Sequence, residues 1–129
     1  MRANTEEVGS LGSAIVMPRI VLTSLTYVGG MGVPCQATAS LSIDGSIHQS
    51  IMSGNAPIDA SLKAINAVVA NSAELVDFRV HSSNLGSDGE AVVTVEVAVM
   101  ERIVRANGND VDTVVATAKA FVAALNQLY

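Results

Sequence analysis

The chain has 129 residues, which is enough for one domain with a hydrophobic core of its own. Hydrophobic residues make up 50% of the chain but aromatic residues only 3%, so the core must be built from Val, Ile, Leu and Ala. The formal net charge is -5, and Lys and Arg form no cluster. Because nucleic acids and anionic membranes attract basic surfaces, we expect neither as a partner.

The first part of the chain is predicted to lie outside the domain. Residues 1–17 are rich in Gly, Ser and small polar residues and are predicted to form a linker or tail before a domain at 18–129. The apolar stretch Ala14–Leu25 is interrupted by a proline and an arginine and is too short to cross a bilayer. Cys35 is the only cysteine, which excludes an internal disulfide and favours a reducing compartment. We therefore expect a cytoplasmic protein.

The domain is predicted to contain six strands and two helices. Strict alternation of apolar and polar residues in two segments is typical of half-buried strands. In the first half, strands are predicted at Arg19–Val28, Gln36–Asp44 and Ile47–Ser53, followed by a helix from Pro57 to about Ala70. In the second half, strands are predicted at Glu74–Ser82, Ala91–Val99 and Arg102–Ala106, followed by a helix from about Val111 to Leu128.

The two halves therefore form a repeat, with one unit at about 18–71 and the other at about 72–129. A shift of 54 residues superposes the strands, and after the turn that precedes each helix the shift falls to 53. This predicts an α+β fold of two pseudo-symmetric βββα units, with antiparallel sheets packed with two helices. Each helix has an apolar stripe to bury, so the other unit or a second chain is its expected partner.

Each predicted helix follows a glycine-asparagine pair, Gly54-Asn55 in the first unit and Gly108-Asn109 in the second. Glycine and asparagine permit an unusual turn, and such a turn at a helix N-terminus presents free N–H groups that suit a carboxylate. An ordinary strand-to-helix connection explains one such turn equally well. Its repetition one unit later favours a binding role.

No catalytic or metal-binding constellation is visible. His48 and His81 lie on predicted strands without further ligands at metal-binding spacing, and no Ser/His/Asp set can be proposed. His81 precedes a polar loop, so it could have a polar role beside that loop or simply face solvent on the strand. The residues alone favour a binding module that needs no metal or other cofactor and contains no catalytic residues.

Several motifs in a fixed order resemble one family. The runs are Pro34–Ala39, Asp44-Gly45, Ser53–Ala60, Leu75–Phe78 and Phe121–Asn126. They are similar to the C-terminal regulatory domain of 2-isopropylmalate synthases, to which the domain of citramalate synthases is related. The resemblance covers roughly residues 18–129. It implies two βββα units that form a homodimer and bind the end-product amino acid at the dimer interface. The parent enzyme would be an acetyl-CoA-dependent acyltransferase whose catalytic barrel is a further partner.

The resemblance also implies the residues of a feedback-inhibitor site for leucine, or for isoleucine in the citramalate branch. The first wall would consist of Asn55, Ala56, Pro57, Ile58 and Asp59, and Gly54 before them would also contribute to binding. The side-chain pocket would be lined by Leu75, Phe78 and Ser82, closed by Gly89 and Ala91, and completed by Asp110, Val111 and Asp112. Leucine is favoured because the glycine-asparagine motif matches the isopropylmalate branch better.

Two positions depart from the family pattern. Ala56 stands where the family usually has glycine, and Phe78 stands where tyrosine is frequent. Both bear on which ligand is bound and whether the site is still competent. Two alternatives therefore stay open: a purely structural dimerisation module and a small stand-alone enzyme.

Overall fold

The computed structural model of the chain describes residues 19–70, 72–82 and 89–128. The first unit comprises β1 (Ile20–Gly30), β2 (Val33–Ile43), β3 (Ser46–Gly54) and α1 (Pro57–Val69). The second comprises β4 (Glu74–Ser82), β5 (Ala91–Val99), β6 (Arg102–Asp110) and α2 (Thr113–Asn126). The predicted α+β fold of two βββα units is thus confirmed. The predicted tail, residues 1–17, lies outside the described residues.

Each unit contains one antiparallel sheet of three strands in chain order, β1-β2-β3 and β4-β5-β6. The predicted hairpin turn at Asp44-Gly45 is present, and both residues have positive φ, as a type I′ turn requires. β6 extends four residues beyond its predicted end at Ala106, because residues 107–110 pair with β5. Ladder hydrogen bonds there outweigh the low strand propensity of Gly, Asn and Asp.

The helices connect the two sheets. α1 packs on β2 and β3, α2 packs on β5 and β6, and the helices contact each other. α2 also contacts β1 of the first unit, so it is enclosed on more sides than α1. As predicted, the core of the described residues is almost entirely aliphatic; among them Phe121, fully buried on α2, is the one aromatic exception.

Along β5, burial of the side chains alternates without exception, as the apolar and polar residues of the sequence predict. Its five apolar positions, from Ala91 to Val99, are all buried and the residues between them are half-buried. These side chains contribute to the chain's own core, where each buried Val stabilises the fold by about 1.5–3 kcal/mol. The apolar face of β5 is therefore used within the chain and cannot serve a second copy.

The internal repeat exists, but its residue equivalences differ from the predicted ones. A shift of 56 takes the Asp44-Gly45 turn onto the turn after Val99, and takes Ser61 onto Thr117. Both of these hydroxyls are buried and donate to the carbonyl oxygen four residues earlier, at 2.7 and 2.8 Å. The first strands are related by a shift of 53, which superposes the bulges after Leu22 and after Leu75.

The prediction that the same turn occurs twice is therefore wrong. Gly54 ends β3, whereas Gly108 lies inside β6, opposite Val93. Asp59 is the third residue of α1, whereas Asp112 is the N-cap of α2. The predicted shifts of 54 and 53 align residues of the same type. Strand pairing and the helix caps show which residues are structurally equivalent.

The two glycines serve close packing and not an unusual turn. Neither has a positive φ. A Cβ on Gly54 would lie 2.6 Å from the backbone N of Ala60, and one on Gly108 would lie 2.5 Å from the backbone N of Ala120. Each glycine thus lets a strand lie directly against the helix that follows it.

We expect Gly54→Ala to destabilise the fold by about 1–3 kcal/mol, because the added methyl group must displace helix backbone. Gly30→Ala is the matched control, since a Cβ there meets no atom within 4 Å. Its effect should stay within about 0.5 kcal/mol. Urea titrations give both free energies of unfolding, and equal stability of the two variants would contradict the close-packing explanation.

Candidate functional site

A groove of about 570 Å³ lies between α1 and β4, and we call it the α1–β4 groove. No Cα atoms of these two elements, both described in full, approach within 8 Å of each other. The groove is lined by Ala56, Ile58, Asp59, Leu62, Lys63, Asn66, Ala73, Glu74, Leu75 and Phe78. Of the predicted site residues, it brings together Ala56, Ile58, Asp59, Leu75 and Phe78.

The N-terminus of α1 forms one end of this groove. Its N-cap, Ala56, has no side-chain oxygen to accept a hydrogen bond, and Pro57 follows it. The Asp59 carboxylate accepts a hydrogen bond from the Asn55 backbone N–H at 2.9 Å and pairs with Lys63 Nζ at 3.2 Å. The Asn55 hydrogen bond, with help from Lys63, lowers the pKa of Asp59. Asp59 is therefore charged at neutral pH, and the Asn55 N–H is already occupied.

A polar group that the sequence analysis did not select lies at the other end of the groove, about 15 Å along α1. The Asn66 side chain donates from Nδ2 to the backbone oxygen of Ala73 at 2.9 Å. Its Oδ1 atom is enclosed and accepts no hydrogen bond from the described residues. The helical periodicity of the sequence predicts only a polar residue at Asn66. Its bond to the Ala73 carbonyl, seven residues later, depends on the path of the chain after α1.

Gly54, Asn55 and Pro57 lie at the end of β3 and the start of α1, and the other predicted site residues form a second group at the end of the second sheet. Ala91 pairs with Ser82 on one side and with Asp110 on the other, and Gly89 precedes this row. Ser82 lies four residues beyond Phe78 on β4, about 13 Å away. One chain therefore does not place both groups in one cavity.

The two carboxylates of this second group have partners within the chain. Asp110 accepts hydrogen bonds from the Asp112 backbone N–H and from Lys119 Nζ, both at 3.0 Å, and these partners lower its pKa. Asp112 caps α2: its Oδ1 accepts from the backbone N–H groups of Val114 and Val115. Both aspartates thus stabilise the start of α2.

A second groove, of about 310 Å³, lies between α2 and β1, and we call it the α2–β1 groove. The shifts of 53 and 56 relate it to the first groove: Leu22 corresponds to Leu75, and Lys119 to Lys63. The two grooves are therefore equivalent under the pseudo-symmetry. They differ in that α2 and β1 are in contact, whereas α1 and β4 are not.

Two sets of hydrogen bonds hold α2 against β1. At one end, the Tyr27 hydroxyl donates to Asp112 Oδ2 at 2.7 Å. At the other, the Asn126 amide accepts from the Ile20 N–H at 3.0 Å and donates to the Ile20 carbonyl at 2.8 Å. In the α1–β4 groove the corresponding side chains are Val80 for Tyr27, Ala56 for Asp112 and Ala70 for Asn126. None of these three side chains can form such bonds. At the far end Asn66 instead donates to the carbonyl of Ala73, the residue equivalent to Ile20, so it is the end at the N-terminus of α1 that has no such bond.

His81 lies outside both grooves. It is exposed on the opposite face of the second sheet, in a shallow depression lined by Asp77, Arg79, His81, Thr94, Glu96 and Arg105. Arg105 pairs there with Glu96, and Arg79 with Asp77. The described residues contain no group of three His, Cys, Asp or Glu side chains that could hold a metal ion. None of their helices is long and apolar enough to cross a membrane.

Comparison with known proteins identifies the family. Residues 10–129 match the model of the LeuA allosteric (dimerisation) domain. The chain belongs to this family. The match begins within the segment predicted as a tail, and it confirms the resemblance found in the sequence motifs.

Full-length relatives carry this domain as a small part. Over 110 residues, the chain is 46% identical to a 2-isopropylmalate synthase of Methylobacterium nodulans, 41% to one of Methylorubrum populi and 40% to one of Bradyrhizobium diazoefficiens. In each case the match covers 85% of this chain and 21% of the relative. The chain thus spans about a fifth of the length of the curated relatives that it matches.

The Tyr27–Asp112 bond predicts a pH dependence of stability. The hydrogen bond that the Tyr27 hydroxyl donates to the Asp112 carboxylate is the main cause that raises the pKa of Tyr27, and burial of the hydroxyl is the second. The folded state therefore holds the phenolic proton more tightly than the unfolded chain, whose tyrosine titrates near pH ~10. This contribution to stability is complete below that pH and is lost as the pH rises through the folded-state pKa.

In Tyr27→Phe the contribution is absent at every pH. We expect this variant to be less stable at neutral pH by about 1 kcal/mol, and to lose less stability than the wild type above pH ~10. Urea titrations at a series of pH values measure both effects. Parallel curves for the two proteins would show that the hydroxyl does not hold this bond in solution.

Proposed function

We propose that this domain is the allosteric regulatory domain of a 2-isopropylmalate synthase and binds a branched-chain amino acid, leucine in preference, for feedback inhibition of leucine biosynthesis. The observation that carries the proposal is the α1–β4 groove, an open and mainly apolar cleft with charged groups at its rim. Its volume lies within the range of small-molecule sites. The family description and the named relatives support the same assignment.

The groove contains the chemistry that an amino acid requires. Ile58, Leu62 and Leu75 offer an apolar surface to a branched side chain, and burial of each methylene there is worth about 0.8 kcal/mol. The Asp59 carboxylate suits an ammonium group, and the N-terminus of α1 suits a carboxylate. A charged ligand side chain that lay against Ile58, Leu62 and Leu75 would lose its hydration to an apolar surface.

We propose further that the domain forms a homodimer and that the second copy completes the site. Three apolar side chains on or beside the predicted site residues are exposed in the single chain: Phe78 by 40%, Val80 by 46% and Val111 by 69%. Because the apolar face of β5 is buried internally, these side chains are better candidates for an interface. Dimerisation would also explain why Ser82, Gly89, Ala91 and the 110–112 segment lie apart from the groove.

The finer assignments follow from the same proposal. The catalytic barrel of the parent acyltransferase would be the domain's further partner, in the cytoplasm, and the domain itself would need no cofactor. Isoleucine, as in citramalate synthases, is the alternative ligand. A structural dimerisation module is the alternative role, because Ala56 stands where the family usually has glycine and Phe78 lacks the hydroxyl of tyrosine.

Calorimetry with five amino acids tests the ligand. We expect leucine to bind more tightly than valine by roughly fourfold, because valine has one methylene fewer. Alanine and lysine should bind more weakly still. An isoleucine preference of tenfold or more would assign the domain to the citramalate branch, and no heat with any of the five would favour the structural module.

Light scattering at micromolar concentration tests the dimer. We expect about twice the chain mass of 13.3 kDa. Val80→Glu should shift the population towards the monomer, because it places a charge among the exposed apolar side chains. His81→Glu, on the opposite face of the same strand, should leave the mass unchanged. A wild-type monomer across this concentration range would contradict the proposed dimer.

A further inference from the structure

The outer faces of the two sheets, which point away from the helices, occupy equivalent places in the repeat. On the first sheet this face consists of four cross-strand rows, and we call it the first outer face. Its rows are Val21, Ser42 and Ile47; Ser24, Ser40 and Gln49; Thr26, Thr38 and Ile51; and Val28, Gln36 and Ser53. The shifts of 53 and 56 relate these rows to the second outer face. Its rows are Glu74, Ala98 and Ile103; Asp77, Glu96 and Arg105; Arg79, Thr94 and Asn107; and His81, Val92 and Asn109.

The two outer faces differ in charge. No residue in the rows of the first outer face is charged, whereas the second carries Glu74, Asp77, Arg79, Glu96 and Arg105. On the second face Arg105 pairs with Glu96, and Arg79 pairs with Asp77, as expected of a sheet face that meets water. Because both faces lie outside the core, core packing does not explain why only one of them lacks charges.

Apolar side chains project from the first outer face. Val28 and Ile47 are each 63% exposed, Ile51 is 57% exposed and Val21 is 41% exposed. All four lie on the flanking strands β1 and β3. The central strand β2 carries mainly small hydroxyl residues on this face, namely Thr38, Ser40 and Ser42. The face is thus a shallow trough with aliphatic rims, and exposed apolar side chains without charges between them are typical of protein–protein contacts.

We propose that the first outer face binds the same face of a second copy of this chain, in a weak contact that is separate from the dimer proposed above. A two-fold axis along β2 places Ile47 of each copy against Val21 of the other, because these two residues lie in one row. Face-to-face packing of two sheets about 10 Å apart is common when their strands run in similar directions. The inference goes beyond the proposed function and does not depend on leucine binding.

Charge favours a second copy as the occupant of this face. The chain has a net charge of -5, so contact between two copies through other surfaces tends to oppose like charges. In a two-fold contact the same patch is used twice, and the first outer face brings no charge against itself. A strongly acidic or basic partner would find no charged group on this face with which to form an ion pair.

The hydroxyl groups at the centre of the trough are compatible with such a contact. The Thr23 hydroxyl donates to the Ser40 carbonyl oxygen at 2.9 Å and lies 3.1 Å from Ser40 Oγ. These groups therefore already have partners within the chain. Covering them with a second copy does not leave them without hydrogen bonds.

The size of the face sets the strength of the contact. Three strands about 4.8 Å apart and about ten residues long cover roughly 450 Å² of each copy, or roughly 900 Å² in total. This area is below the roughly 1,200–2,000 Å² of stable complexes. We therefore expect the copies to associate through this face at roughly 0.1–1 mM and not at micromolar concentration.

Sedimentation equilibrium of the chain up to about 1 mM tests the contact. We expect the mean mass to rise above that of the dimer, towards four times the chain mass of 13.3 kDa. Ile51→Lys should abolish this rise and leave the mass at micromolar concentration unchanged, because it places an ammonium group among the aliphatic rims. Asn107→Lys is the matched control, since it adds the same charge at the equivalent position of the second outer face. It should leave the rise unchanged.

A second pair of variants distinguishes the face from the edge of the sheet. β3 is an edge strand, so Ile51→Lys could also hinder pairing of two edges. Thr38→Lys lies on the central strand β2 and should likewise abolish the rise in mass. Its equivalent on the second sheet, Thr94→Lys, should not. Circular dichroism confirms that each variant is folded.

The outcomes separate this inference from the proposed function. A wild-type mass that does not rise up to about 1 mM would overturn the inference and leave the face to a partner other than this chain. Equal loss of the rise in Asn107→Lys or Thr94→Lys would also overturn it, because added charge alone would then explain the loss. Val80→Glu should remove the proposed dimer and still show a rise, from one chain mass towards two. If the wild type binds no leucine, or is a monomer at micromolar concentration, the proposed function is affected and the rise at high concentration still decides this inference.

Discussion

The packing of α2 is the constraint on which the rest of the structure depends. This helix covers its own sheet, contacts α1 and reaches β1 of the other unit, and its Phe121 is fully buried. Hydrogen bonds from Tyr27 and Asn126 hold its two ends to β1. Because these contacts join residues about a hundred positions apart, they tie the two βββα units into one body. A separate unit would leave the apolar surface of α2 in water.

The same attachment explains why two similar units have dissimilar grooves. Where α2 is bound to β1, the Tyr27 and Asp112 side chains occupy one end of the groove between them, and the groove that remains is smaller than the α1–β4 groove. At the N-terminus of α1 no bond like Tyr27–Asp112 reaches β4, since Ala56 and Val80 have no polar side-chain atoms, whereas at the other end Asn66 bonds to Ala73, just before β4. The repeat therefore supplies one closed, stabilising contact and one open cleft.

Close approach is the second theme of the fold. Gly54 and Gly108 both lie where a strand meets the helix that follows it, at distances that exclude any Cβ. In the sequence alone, each glycine with its asparagine is typical of an anion-binding turn before a helix. Their letters repeat because both units need a small residue beneath the helix, although the two positions are not equivalent in the repeat. A glycine that is needed for close packing can therefore look, in the sequence, like part of a binding motif.

The sequence by itself determined the order of elements, the aliphatic core, the hairpin at Asp44-Gly45 and the family. These are local patterns of period two or 3.6, or runs of specific residues, and they survive in any arrangement of the units. Five predicted site residues do line one groove. Only the tertiary structure decided the residue equivalences of the repeat, the partners of Asp112 and Asn66, and which groove is open. Bulges, strand register and contacts between distant residues decide these features, and a linear pattern of letters does not contain them.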